Sequence, residues 1–408
     1  MNILFVIEQL NVGGAQTFLV RLATQFPKDK HCIYVWEIKP SERNEANYKK
    51  LIDNNITVIT SPFALWNIYM EKHQWKFVKK ISYKLNVWFN IGFIIDLWKL
   101  KHFIRSKKIN IVNSHLYQAD NYSCRLLNKI PIKIVSTFHG CYNLYQTEIA
   151  NNEANLLFAN TFKQNLNIIF KRLNGVIYLT DRQLELPGYI NIAVIPKQKI
   201  YNGFLSSPPK KDSNTLSKTQ KDNWKFGMIA RGEKSKGWEE AIQAFLYLKK
   251  QNPSKSLSLN LIGESFFLDS LKNEYKDSDV FFHGQIADPL SLISQWDVGL
   301  LPTYFAAESL PNTIIEYMYS QIPTIATGVA EIPKMLTEEN KSAGIVIPLN
   351  SSGKVDVMEI AKAMQRYLDD TQLWQEHKIN AEILYVRFDI NTCIDEYINF
   401  FKSTITYN

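Results

Sequence analysis

Two glutamates eight positions apart, Glu308 and Glu316, straddle a run that reads as a loop passing into a helix, Glu308-Ser-Leu-Pro-Asn-Thr-Ile-Ile-Glu316. Pro311 falls in the first turn of that helix, where its missing N–H costs nothing. The start of a helix leaves backbone N–H groups unpaired and carries a partial positive charge, so it is a natural seat for a phosphate. Pro311 cannot donate, which leaves Leu310, Asn312 and Thr313 as donors. Glu308 precedes the anion on the loop, while Glu316 lies about one turn into the helix. The two carboxylates can then grip different parts of one ligand, an anionic head with hydroxyls on either side. The alternative is an amphipathic helix whose carboxylates face water.

A second constellation lies upstream. An expected strand, Trp224 to Ala230, runs into Arg231-Gly-Glu-Lys-Ser-Lys236-Gly237 and then a helix from Trp238 to Lys250. Two fixed cations at the carboxyl end of a strand suit a diphosphate leaving group; two solvated loop cations are the other reading. Near the start of the chain, an apolar run from Ile3 to Ile7 leads to Gly13-Gly14-Ala15 and a helical pattern. That order opens a Rossmann-like unit, whose glycines let the backbone approach a diphosphate closely, although a plain turn has the same glycines. Two further strands end in histidine, Ile-Val-Asn-Ser-His115 and Ile-Val-Ser-Thr-Phe-His139. A single such histidine is ordinarily structural, whereas two at neighbouring strand ends suggest a site.

At the glutamate pair, with Pro311-Asn312 after its first member, the chain resembles the retaining glycosyltransferases of GT-B fold in glycosyltransferase family 4. The Arg231/Lys236-Gly pair, the Gly-Gly-Ala loop, the Thr-Phe-His segment and Asn202-Gly203 are similar to elements of the same family. The resemblance implies an α/β fold with two Rossmann-like domains facing a cleft, and transfer of a sugar from a nucleoside-diphosphate sugar with retention and no obligatory metal. It implies that Glu308 contacts donor-sugar hydroxyls, Glu316 the ribose, and Arg231 and Lys236 the diphosphate, with Leu310, Asn312, Thr313 and Gly14 also on the donor. Gly13 and His115 would lie on the acceptor side, and His139 near the reaction centre. Three departures stand out. Gln16 stands where the family usually has an acidic residue, Gly263-Glu264-Ser265 lacks a second glycine, and Gly328-Val329-Ala330-Glu331-Ile-Pro-Lys334 stands where the family commonly has Gly-Gly-Ile-Pro-Glu. Asp277-Ser278-Asp279 spells the metal motif of a different glycosyltransferase fold, but it precedes a strand, at the end where ligands do not bind.

The helices and strands that position these residues alternate along the chain. Strands are expected at 32–36, 56–59, 109–113, 132–137 and 175–179, then at 257–262, 280–282 and 298–301, which is the order of parallel sheets covered by helices. An N-terminal acceptor domain over 1–205, a polar linker over 206–223 and a nucleotide-sugar domain over 224–390 follow. The last helix, in 391–408, crosses back to the first domain by the family pattern. The chain of 408 residues suits two cores. Cys32, Cys124, Cys141 and Cys393 have no metal spacing and fit a reducing cytoplasm. The opening apolar run, with no basic stretch ahead of it and no small-residue cleavage site, is not expected to be a secretory leader, and no apolar run is long enough to cross a bilayer.

The segment 66–108 is peculiar. It interleaves tryptophan, tyrosine and phenylalanine with ten basic residues against two acidic ones, Glu71 and Asp96, a surplus equal to the +8 of the whole chain. Trp75, Lys76, Lys79, Lys80, Lys84 and Trp88 are the residues expected to meet an anionic membrane surface, the lysines at headgroups and the rings at headgroup depth. Asn86, Asn90 and Asp96 interrupt the apolar stretch, so the segment would lie on the bilayer, at the inner face of the plasma membrane. An aromatic core covered by a solvated face is the alternative. No nucleic-acid motif accompanies the charge. The expected partners are therefore a nucleotide sugar and a saccharide or lipid-linked acceptor, as in bacterial surface polysaccharide or lipopolysaccharide assembly. Rival functions are a sugar-nucleotide epimerase, a phosphorylase, or an inactive membrane-associated partner.

Overall fold

The computed structural model describes residues 1–62, 87–142, 156–206, 222–276, 278–286, 288–306 and 308–407. They form two compact units, Met1–Gly203 with Ile390–Asn408, and Phe204–Asp389. Trp75, Lys76, Lys79, Lys80 and Lys84, the side chain of Trp88, and most of the polar run 206–223 lie outside the described residues.

The first unit is built on a parallel sheet in the order β3-β2-β1-β4-β5-β6-β7. Its strands are β1 (Asn2–Ile7), β2 (Cys32–Glu37), β3 (Thr57–Thr60), β4 (Ile111–His115), β5 (Lys133–Thr137), β6 (Gly175–Tyr178) and β7 (Lys197–Lys199). Alternate residues of a strand face opposite sides. Ile3, Phe5 and Ile7 of β1 accordingly pack with Phe18, Leu19 and Leu22 of the helix Gly14–Gln25 and with Tyr397 and Phe401 of the helix Ile390–Thr406. Leu4 and Val6 pack on the other side with Leu100 and Ile104 of the helix Val87–Ser106 and with Leu166 and Ile169 of the helix Leu156–Arg172. Both faces are covered, which is why the strands read as continuous apolar runs.

Asp96, which interrupts the apolar stretch of the segment 66–108, is buried. It is 3% exposed and accepts hydrogen bonds from Ser61 Oγ at 2.6 Å and Tyr122 Oη at 2.8 Å, fastening the helix Val87–Ser106 to this unit. The exposed side of that helix carries Ile94, Ile95 and Trp98, at 62%, 41% and 70% exposure. No helix among the described residues is long and apolar enough to cross a membrane.

The second unit has a parallel sheet in the order β10-β9-β8-β11-β12-β15. Its strands are β8 (Asn223–Ile229), β9 (Ser256–Ile262), β10 (Val280–Phe282), β11 (Val298–Leu301), β12 (Thr324–Thr327) and β15 (Gly344–Ile347), with a small hairpin of β13 (Thr337–Glu338) and β14 (Lys341–Ser342). Phe226 and Met228 of β8 share a core with Trp238 and Phe245 of the helix Trp238–Gln251 and with Met364 and Tyr367 of the helix Val357–Asp369. Gly227 faces the other side, where a Cβ would lie 2.0 Å from the ring of Trp296, so only glycine fits between strand and indole. Of the expected metal motif, Asp277 is outside the described residues; Asp279 is exposed, precedes β10 and pairs with Lys249.

Candidate functional site

In the second unit, β8 and β11 are hydrogen-bonded neighbours, and the loops leaving their carboxyl ends carry Arg231, Lys236 and Glu308. After β8 the backbone passes Arg231, makes a short turn over Lys234–Lys236, and enters the helix at Trp238 through Gly237. Gly237 has φ of +83°, and a Cβ there would also sit 2.1 Å from the carbonyl oxygen of Pro302, so side chains are excluded twice over. Trp238 Nε1 donates to the carbonyl of Arg231 at 3.0 Å, which fixes the loop from below. The loop after β11 is tied to the same turn, since Tyr304 N donates to Ser235 O at 2.8 Å.

These ties bring Lys236 and Glu308 into an ion pair at 2.7 Å, with only 8% and 9% of their side chains exposed. Thr303 Oγ1 lies 3.3 Å from the same carboxylate oxygen. Phe305 lies beneath both cations, its ring centre 4.6 Å from Lys236 Nζ and 5.3 Å from the Arg231 guanidinium. Arg231 itself is largely exposed and pairs with Glu233 at 2.9 Å. Arg231 and Lys236 thus share one aromatic ring, and Lys236 holds Glu308 beside it. Phe305 and Thr303 were absent from the sequence expectation; the only signal was their position between a strand end and Glu308.

The helix that follows is Asn312–Tyr319, with Pro311 as its cap residue rather than inside its first turn. Ile314 N turns back to Pro311 O at 3.1 Å. Thr313 donates its hydroxyl to Ile229 O at 3.0 Å, at the end of β8, so its side chain is committed to the fold and its ligand-facing role would rest on the backbone. Buried Tyr317 accepts from Ile229 N and donates to Leu300 O, both at 3.1 Å, stitching the helix to both strand ends. Burial pushes its phenol well above the usual tyrosine range. Asn312 and Glu316 are both half-buried, one turn apart on this helix, and Leu310 is buried before it.

In the first unit, Gly13 caps the helix Gly14–Gln25 in an extended conformation, and a Cβ on it would meet the Gln16 side chain. Gly14 has open space around it. The loop ahead of them is pinned: Leu10 N donates to Glu37 Oε1 at 3.0 Å, and Arg43 Nε holds the other oxygen of that buried carboxylate at 3.0 Å. Asn47 Nδ2 donates to Asn11 O at 2.9 Å.

His115 ends β4 and His139 follows β5, and their rings stack, with His115 Nδ1 2.8 Å from His139 Nε2. His115 is wholly buried, so it reaches a ligand only through His139, which is half-buried. Burial holds both imidazoles low, His139 down to about 3, so the pair is neutral at ordinary pH. His139, Leu116, Tyr117 and Asp120 share the lining of a small pocket with Phe138, Gly140 and Tyr142. Leu116, which lines that pocket, has φ of +75°, a strained value for leucine. Asp120 is fully buried, accepts from the hydroxyls of Ser114 and Tyr142, and is pushed by burial up to about 7. Among the described residues no cluster of three or more His, Cys, Asp or Glu could hold a metal ion.

The two parallel, Rossmann-like sheets match the GT-B fold. Residues 224–370 match the family model described as Glycosyl transferases group 1. Over 218 residues the chain is 25% identical to the capsular polysaccharide biosynthesis glycosyltransferase CapM of Staphylococcus aureus, covering 48% of this chain and 54% of that protein. The chain therefore spans about half the length of this curated relative. Among solved structures, HepE of Anabaena in complex with UDP superposes with a TM-score of 0.69 at 16% identity, covering 99% of this chain and 100% of that one. A glycosyltransferase from Rickettsia africae gives 0.71 at 14% identity, covering 100% and 99%.

Proposed function

We propose that the chain is a retaining glycosyltransferase of family 4 that moves a sugar from a nucleoside-diphosphate sugar to a hydroxyl of a saccharide or lipid-linked acceptor. The observation that carries this reading is the Lys236–Glu308 pair over Phe305, beside Arg231 and in the same unit as the helix Asn312–Tyr319. Arg231, Lys236 and the backbone donors of Leu310, Asn312 and Thr313 stabilise the departing diphosphate, whose charge grows in the transition state. Glu308 orients the donor sugar and Glu316 the ribose. Gly14 approaches the diphosphate, Gly13 and His139 meet the sugars, and no metal is needed because fixed cations supply the charge. UDP in the HepE structure makes uridine nucleotides the first donors to try. The CapM likeness favours a surface-polysaccharide acceptor. The test is release of nucleoside diphosphate with and without saccharide acceptors. Strictly acceptor-dependent release supports transfer; turnover without an acceptor, or only with inorganic phosphate, supports an epimerase or a phosphorylase.

The membrane reading is part of the same proposal. Ile94, Ile95 and Trp98 are exposed on one helix side, with His102 stacked on Trp98 and Arg105 exposed one turn further on. Apolar side chains with a flanking cation suit an anionic lipid surface at the cytoplasmic face. Ile94→Ser with Trp98→Ser is expected to weaken binding to phosphatidylglycerol vesicles about tenfold or more. Unchanged binding in flotation assays would remove this helix from the membrane reading.

A further inference from the structure

The polar chain behind His139 fixes more than its position. Asn113 and His115 lie two residues apart on β4 and therefore face the same side of the sheet. Asn113 Nδ2 lies 3.0 Å from Val135 O, a carbonyl that can only accept, so the amide nitrogen is on that side and Oδ1 faces the histidine. Asn113 Oδ1 is 2.8 Å from His115 Nε2, which must therefore carry the proton and donate. A neutral His115 with its proton on Nε2 has a lone pair on Nδ1. His139 Nε2, 2.8 Å away, must then donate to it. In a neutral His139 the remaining nitrogen, Nδ1, is left unprotonated. The other end of the chain is closed as well. Thr137 Oγ1 lies 3.0 Å from Asn113 Nδ2 and 3.3 Å from Tyr397 Oη, while Phe18 packs against both imidazoles.

We propose that Asn113 and His115 are positioning residues that lock His139 in the tautomer with a bare Nδ1, and that this nitrogen accepts a hydrogen bond from a sugar hydroxyl of the donor or acceptor. The second half rests on the glycosyltransferase reading; the first half does not. The neutral pair cannot serve as a cationic phosphate contact. It reads hydroxyl donors instead, so it discriminates between sugars that present an O–H there and deoxy or O-methyl analogues that do not.

The test is two-part, on the full chain labelled with ¹⁵N-histidine. Long-range ¹H–¹⁵N spectra are expected to show His139 protonated on Nε2 and bare on Nδ1, and His115 likewise. Asn113→Leu, which removes the acceptor facing His115 Nε2, is expected to abolish this pattern. A protonated Nδ1 on His139 in the unmodified protein overturns the proposal, whatever the activity. In the transfer assay, His139→Asn, which keeps an acceptor close to the Nδ1 position, is expected to retain more kcat/KM than His139→Leu by about tenfold or more. Equal losses in the two variants would overturn the hydroxyl contact. The expected tautomers in a protein without any transferase activity would overturn the functional reading alone and leave the positioning role standing.

Discussion

Replacing Glu308 by glutamine is expected to lower acceptor-dependent nucleoside diphosphate release by roughly a hundredfold or more, with the fold retained. The amide still accepts from Lys236 but no longer carries the charge that orients a sugar against a departing diphosphate. Alanine is a harsher change. Glu308 and Lys236 are both almost entirely buried, so truncating either one leaves its partner as a desolvated, unpaired charge. Glu308→Ala and Lys236→Met are each expected to cost about 3–5 kcal/mol of stability, and the double variant much less than their sum. Urea unfolding of the four proteins measures the coupling. Additive losses would mean that the two side chains do not depend on one another. For the same reason, inactivity of Glu308→Ala alone would not distinguish lost chemistry from lost structure.

The second large effect lies at Asp120. Burial raises its carboxyl from 3.8 to about 7 despite the hydroxyls of Ser114 and Tyr142. The folded protein then keeps a proton that the unfolded chain releases. The resulting stabilisation is fully present below about pH 4 and is lost as pH rises through about 7. A displacement of about three units corresponds to roughly 4 kcal/mol. His115 and His139 act in the opposite direction: their imidazoles are held low, so their contribution is present above 6.5 and lost as pH falls. The wild-type profile therefore blends opposing trends, and the difference from Asp120→Asn isolates the carboxyl. Relative to wild type, that variant is expected to gain roughly 4 kcal/mol between about pH 4 and about pH 8. A difference that stays constant would mean that Asp120 is ionised in the fold throughout.

Much of the architecture is legible in the sequence because both faces of each sheet are covered, and buried parallel strands announce themselves as apolar runs. The exceptions have local causes. Ile109 is apolar yet precedes β4, because Lys108 takes a positive φ and Ile109 N closes the preceding helix on Ile104 O at 2.9 Å. Ile109 belongs to the core as a helix-end residue. β7 is Lys-Gln-Lys on the sheet edge, with no apolar signature, and β12 and β15 are four-residue strands enclosed by proline and glycine turns. At the candidate site, the glutamate and cation spacings were visible as local patterns. The pairing of Lys236 with Glu308 was not, because it joins loops 72 residues apart through backbone bonds such as Tyr304 N to Ser235 O. The burial of Asp96 is hidden in the sequence for a related reason. A lone carboxylate in an aromatic helix looks like a solvent marker until Ser61 and Tyr122 are brought against it. Asn113 could have been found from its i, i+2 relation to His115; Asp120 could not, since only its burial distinguishes it from an ordinary helix-start acid.

The most direct measurement is a thermal-shift screen of the pure protein against UDP, GDP, ADP, CMP and their common sugar conjugates, because a ligand that binds only the native state raises its apparent stability. A clear upward shift with one nucleoside diphosphate and its sugars, reduced in Lys236→Met, is the expected result. A folded protein whose midpoint moves with none of them at millimolar concentration would contradict a nucleotide-sugar site built on Arg231, Lys236 and Glu308.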